Sequence, residues 1–240
     1  MTPTTNAVDA RLWVIIPAAG SGRRIPGDEP KQYARVAGRS VLEWSIEPFL
    51  RRDDVAGIVV AIAAADERWE HLRLATHRLI RTVPGGAERA QSVQHALQAL
   101  QGFAHAQDWV LVHDAARPCL DANDLELLIK ALATDAVGGL LATPLTDTVK
   151  HSDDENCVIR TVCRERLWRA LTPQMFRYGA LTEALARARA SGQSVTDEAS
   201  AMEMAGLRPR LIGGRPDNIK ITLPADLELA ERILAGRNRA

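Results

Sequence analysis

The sequence is short of cysteine, and the few cysteines it has are poorly arranged for chemistry. Only Cys119, Cys157 and Cys163 occur in 240 residues. Their number is odd, none forms a C-x-x-C pair, and no histidine cluster accompanies them, so neither a disulfide framework nor a zinc site is expected. Free thiols in a reducing cytoplasm are the expectation that follows. An excess of either charge is also missing, since 30 Lys and Arg balance 30 Asp and Glu. A general nucleic-acid binder carries a basic excess or stripe, so no nucleic-acid partner is expected and any anion site must be local. No apolar run approaches the roughly 20 residues that a bilayer span needs, so no membrane partner is expected either. The opening MTPTTNAVDA lacks a basic start followed by an apolar run and does not read as a signal peptide. It reads as a disordered tail over 1–10, followed by one domain over 11–240.

What is present is alternation. Hydrophobic residues make up 46% of the chain, enough for a sizeable core. Short apolar runs alternate with helical patterns, which predicts an α/β fold with a mostly parallel sheet flanked by helices. The expected strands are Leu12–Pro17, Val55–Ile62, Leu79–Val83, Trp109–His113 and Val137–Pro144. The expected helices are Ser40–Leu50, Glu88–Gln101, Asp121–Ala133, Gly179–Ala190, Asp197–Ala205 and a last one opened by Pro224. One stretch breaks the rhythm. Thr146–Cys163 is polar in its middle and β-branched at both ends, and reads as two strands joined by an acidic turn. Such an arm buries little by itself and must pack on something else.

The first strand runs into AAGSGRRIPGDEPKQY. Glycines at this point let backbone approach a ligand closely, and the N–H groups of such a turn cradle anions. Two familiar loops are excluded. A Walker A loop needs GK[ST], where Arg23 and Arg24 stand; a dinucleotide fingerprint needs a third glycine, where the chain has arginine and isoleucine. Arg23, Arg24 and Lys31 place about three positive charges beside one anion, which suits a triphosphate. A second signal is Asp114, at the end of the fourth strand. Ligands of open α/β sheets sit beyond the carboxyl ends of strands, so Asp114 falls on the same edge as the glycine loop. There it can take a hard cation such as Mg2+ together with substrate phosphates. The adjoining His113 reads as packed at a strand end, with no catalytic task.

Seven segments occur in this order: PAAGSGRR (17–24), PKQY (30–33), GGAERAQSV (85–93), HDAARPC (113–119), LTPQ (171–174), TDEASA (196–201) and GRPDNIKIT (214–222). Together they closely resemble the 2-C-methyl-D-erythritol 4-phosphate cytidylyltransferase family, over nearly the whole chain from about Leu12 to Leu234. The resemblance implies a Rossmann-like nucleotidyltransferase fold and a homodimer in which a protruding β-arm, about 146–163, reaches across to the neighbouring subunit. The substrates it implies are CTP and a sugar-alcohol phosphate, with Mg2+ as cofactor. Arg24 and Lys31 would be the catalytic groups that stabilise the transition state. Ala18, Ala19, Gly20 and Gly22, with Gly86, Ser92 and Asp114, would hold the nucleotide. Asp114 would take the metal, with Asp217 as a second carboxylate. Thr148 and Arg164 from the partner's arm, with Lys220, would grip the substrate's phosphate, and Thr172 and Thr196 would lie close to the substrate. Ala87 stands where some members carry an acidic residue, which puts a base-reading role there in doubt. Two other readings remain open at this point: a ribitol-5-phosphate cytidylyltransferase, and a non-catalytic nucleotide-binding module.

Overall fold

Strand β1 (Leu12–Pro17) shows why this chain builds a sheet covered on both sides. Leu12, Val14 and Ile16 join one core cluster, while Trp13 and Ile15 join the other. A strand that is apolar on both faces needs helices over both. The computed structural model describes residues 10–20 and 30–237, and within them the helices follow. A short hairpin, β2 (Arg35–Val36) and β3 (Arg39–Ser40), leads into α1 (Val41–Leu50). Then come β4 (Val55–Ile62), β5 (Ile80–Pro84), α2 (Arg89–Ala99), β6 (Trp109–Val112) and α3 (Ala122–Leu132). Next are β7 (Gly138–Pro144), β8 (Val149–Ser152), β9 (Val158–Val162) and β10 (Trp168–Arg177). The order ends with α4 (Tyr178–Ala190), α5 (Glu198–Met204), β11 (Arg210–Gly213) and α6 (Pro224–Arg237).

The seven-stranded sheet has the order β11-β7-β10-β6-β1-β4-β5. Every pairing in it is parallel except those of β10, which runs antiparallel to both β6 and β7. Leu42, Ile46 and Phe49 of α1 and Leu125, Leu128 and Leu132 of α3 cover one face. Val93 and Leu97 of α2, Leu181 and Leu185 of α4, and Met202 of α5 cover the other. Burying each such side chain is worth about 1.5–3 kcal/mol. A third, smaller cluster joins Val36, Val41, Cys119 and Ile221 to Ala230 and Leu234 of α6. Local chemistry starts the helices where the sequence places them. Ser40 Oγ accepts from the Glu43 N–H at 3.2 Å while the Glu43 carboxylate accepts from the Ser40 N–H at 2.9 Å, a reciprocal cap that opens α1. Asp197 and Ser200 form the equivalent pair at α5.

The expected elements recur with ends shifted by a residue or so; Leu79–Val83, for example, is Ile80–Pro84. Two strands of the main sheet, β10 and β11, were not expected. The interior Pro173 argues against a central strand, because proline cannot donate to the ladder. In β10 it falls where the register to β7 shifts, between Ala170 and Gln174, so no ladder donor is required of it. The expected arm is present as the antiparallel pair β8–β9, a separate two-stranded sheet. It leaves from the carboxyl end of β7 and returns to the start of β10, so it springs from the edge at which β1, β4, β5 and β6 end. Of the expected tail over 1–10, all but Ala10 lies outside the described residues.

Candidate active site

Three loops beyond the carboxyl ends of β1, β5 and β6 meet a fourth segment, from the stretch before α6, around a cavity of about 220 Å3. Its lining includes Ala18, Ala19, Gly20, Lys31, Gly86, Ser92, Asp114 and Lys220, so most of the residues expected from separate motifs come together here. Gly22 and Arg24 lie outside the described residues.

Side chains that the sequence reading passed over hold these loops in place. Gln32 donates from Nε2 to the Ala18 carbonyl at 2.8 Å and to the Gly20 carbonyl at 3.1 Å, fastening the glycine turn. Gly85 lies against that turn. A Cβ there would sit 2.2 Å from Ala19 Cβ and 3.0 Å from Ser92 Oγ, so only glycine permits the contact. The Gly86 N–H donates to Ser92 Oγ at 3.0 Å and the hydroxyl donates on to the Glu88 carbonyl at 3.2 Å. Ser92 therefore braces the second loop with the hydroxyl that the resemblance assigned to the nucleotide.

Asp114 is the electrostatic centre. It is buried, and burial alone would raise its pKa. Arg89 first and Lys220 next outweigh that and hold the carboxyl well below the usual carboxylate range. Arg89 Nε donates to Oδ1 at 2.9 Å and Lys220 Nζ donates to Oδ2 at 2.9 Å. Arg117 Nε stands 3.6 Å from Oδ2. Arg89 also clasps Glu198 with both terminal nitrogens, at 2.6 and 3.0 Å. Lys31 lines the same cavity and donates from Nζ to the Ile221 carbonyl at 3.0 Å.

His113 is fully buried, and desolvation pushes its pKa down to about 4, so the ring is neutral at pH 7. Its Nε2 faces the Arg117 carbonyl at 3.1 Å and must carry the proton, because a carbonyl only accepts. Nδ1 then accepts from Thr172 Oγ1 at 2.9 Å, and that oxygen accepts from the Asp114 N–H at 3.1 Å. Thr172 thus fixes the backbone of Asp114 from beneath the cavity rather than lining it. Both ring nitrogens of His113 are thus engaged in a closed chain of donors and acceptors.

Other expected residues do not reach the cavity. Thr148 and Arg164 are exposed at the base of the arm, and Thr196 is exposed just before α5. Asp217 is another of these. Its carboxylate accepts from Arg215 Nη2 and from Arg237 Nη2, each at 3.0 Å, and Asp217 is absent from the cavity lining. Two guanidinium groups thus hold Asp217 outside the cavity that Asp114 lines. Among the described residues no three His, Cys, Asp or Glu side chains converge as a metal cage. A hard dication that shares substrate phosphates needs only one or two carboxylates, and the ionised Asp114 in the cavity wall fits that role. Arg89, Glu198 and Gln32 carried a signal only as members of the GGAER, TDEAS and PKQY segments; nothing in their spacing marked them.

The sequence and the fold agree with those of known proteins. The model of the 2-C-methyl-D-erythritol 4-phosphate cytidylyltransferase family matches residues 12–236. A relative of that name from Ectopseudomonas mendocina is 48% identical over 233 residues, 97% of this chain and 99% of the relative. One from Pseudomonas putida (strain GB-1) is 52% identical over 228 residues, 94% of this chain and 97% of the relative. The crystal structure of the Francisella tularensis 2-C-methyl-D-erythritol 4-phosphate cytidylyltransferase superposes with a TM-score of 0.82 at 36% identity, covering 93% of this chain and 100% of that one. With its motifs gathered on one sheet edge and matched over nearly its full length, this chain belongs to the 2-C-methyl-D-erythritol 4-phosphate cytidylyltransferase family.

Proposed function

We propose that the cavity transfers CMP from CTP to 2-C-methyl-D-erythritol 4-phosphate, giving 4-diphosphocytidyl-2-C-methyl-D-erythritol and pyrophosphate. The observation that carries this is the meeting of Lys31, Lys220 and Asp114 over the glycine turn, in a chain of this family. A phosphate oxygen of the acceptor attacks the α-phosphorus of CTP and the bond to the pyrophosphate oxygen breaks. The attacking phosphate monoester has a second pKa near about 6 and is already anionic at neutral pH, so no protein base is required. The neutral, fully engaged His113 is consistent with that.

What the protein must overcome is repulsion between two polyanions, so catalysis is positioning and charge stabilisation. Lys31, with Arg24, would neutralise charge on the α-phosphoryl and leaving oxygens. The turn at Ala18–Gly22 and the Gly86 loop would hold the nucleotide. Lys220 would grip the acceptor's phosphate, with Thr172 and Thr196 nearby. Asp114 would hold Mg2+, which when bound screens phosphate charge.

Residues 11–240 would act as a single nucleotidyltransferase domain in a homodimer, with Thr148 and Arg164 of one arm completing the partner's site. The arm springs from the cavity edge and exposes Val158 and Ile159, which are 62% and 57% accessible, and so offers an apolar surface for a partner to cover. A reducing cytoplasm suits its free cysteines.

The test is pyrophosphate release with CTP and Mg2+, run separately with 2-C-methyl-D-erythritol 4-phosphate and with ribitol 5-phosphate. Release with the first acceptor is expected. Preference for the second would reassign the acceptor, and no release with either would remove the transfer reading.

A further inference from the structure

Glu198 is an unusual residue to find at this depth. It is 1% exposed, beside the cavity yet outside its lining. A buried carboxylate costs several kcal/mol in desolvation unless it is paired, and even a paired one is often no better for stability than an apolar side chain of similar size. Stability alone is therefore a poor reason for a glutamate here. Its geometry offers another.

Glu198 is held from behind. On β10, Gln174 accepts from the Ala199 N–H at 2.8 Å and donates to Asp197 Oδ2 at 2.9 Å, so both sides of Glu198 are pinned to the sheet. The carboxylate then takes both terminal nitrogens of Arg89. A two-point contact between a planar fork and a carboxylate fixes orientation as well as distance. The remaining nitrogen, Nε, is thereby aimed at Oδ1 of Asp114, and Arg89 itself lines the cavity beside Gly86, Ala87 and Ser92. The guanidinium is shared between two carboxylates. Were Glu198 uncharged, Arg89 would be free to turn wholly onto Asp114, neutralising the acid and leaving the nucleotide side of the cavity.

We infer that Glu198 is a positioning residue of the reaction, acting on the bound nucleotide through Arg89 and Asp114. This rests on the cytidyl-transfer reading for its kinetic consequences, but not for its effect on nucleotide binding. Arg89 borders the nucleotide loops, so the loss should fall on CTP and spare the acceptor.

The experiment uses the full chain and four variants: Glu198→Gln, Glu198→Asp, Arg89→Lys, and Glu198→Gln combined with Arg89→Lys. Thermal unfolding identifies any variant that does not fold, and the remaining variants then carry the comparison. Outer partners of a charged site typically cost about 10–100-fold when removed. Glu198→Gln should lower kcat/KM for CTP by roughly that factor and leave KM for the acceptor unchanged. CTP affinity measured by calorimetry should fall in step. Glu198→Asp should restore part of the loss, and the double variant should be no worse than Arg89→Lys alone. Wild-type kcat/KM and CTP affinity in a folded but less stable Glu198→Gln would overturn the inference, as would a double variant showing the product of both single losses. If the wild type releases no pyrophosphate with any acceptor, the transfer reading fails, and the calorimetric comparison still decides the role of Glu198.

Discussion

Lys220 Nζ donates to Asp114 Oδ2 at 2.9 Å, joining the segment before α6 to the loop after β6 in the wall of the cavity. The contact pairs the residue assigned to the acceptor's phosphate with the one assigned to the metal. Lys220→Gln removes a charged donor worth about 1.5–3 kcal/mol, so kcat/KM for the acceptor should fall roughly 10–100-fold. KM for the acceptor should carry the loss. An unchanged acceptor KM alongside a large fall in kcat would instead assign Lys220 to the transition state.

Lys31 lines the same cavity, with its ammonium on the Ile221 carbonyl, one residue beyond Lys220. Losing one preorganised donor to developing charge typically costs about 10²–10³ in turnover. Lys31→Ala and Arg24→Ala should each show a loss of that size in a single-turnover assay, with unchanged circular dichroism. Near-normal turnover in either variant would take that residue out of the catalytic pair.

The pH behaviour separates stability from chemistry. Burial lowers the pKa of His113 to about 4 in the native state, against about 6.5 when unfolded. Between those values the unfolded chain binds a proton that the native chain does not, so unfolding free energy rises with pH. The contribution is complete above about pH 6.5 and is lost as pH falls toward 4. Urea midpoints should therefore drop between pH 7 and pH 5, and His113→Asn should flatten that slope even if the variant is less stable throughout. Turnover should instead show an acid limb near about pH 6, set by the acceptor's phosphate. Loss of that limb in His113→Asn would contradict the inert role given to the ring.

The arm gives the fourth prediction. Ile159→Asp places a charge in the apolar surface that β9 exposes, and should shift sedimentation toward a monomer and lower activity together. Arg164→Ala should leave the sedimentation unchanged and raise KM for the acceptor. A variant that is monomeric yet fully active would mean the arm contributes nothing to a partner's site.

The sequence by itself determined the strands that are apolar on both faces, the capped helices, the glycine turn and the polar arm. Each depends on neighbours within a few residues: the unbroken apolar run in Leu12–Pro17, Ser40 with Glu43, the small residues after β1. The order of the motifs was enough to indicate the family. Tertiary structure decided the rest. The place of β10 is one such case, because whether its interior Pro173 is tolerated depends on the register of the neighbouring strand. Asp217 is shared between Arg215 and Arg237, which α6 brings in, a pairing set by packing rather than by local sequence. The bridge from Glu198 through Arg89 to Asp114 joins α5, α2 and the end of β6, and no local pattern marks it. Packing determines which helix starts meet at the sheet edge, and only then does a buried charge acquire a partner.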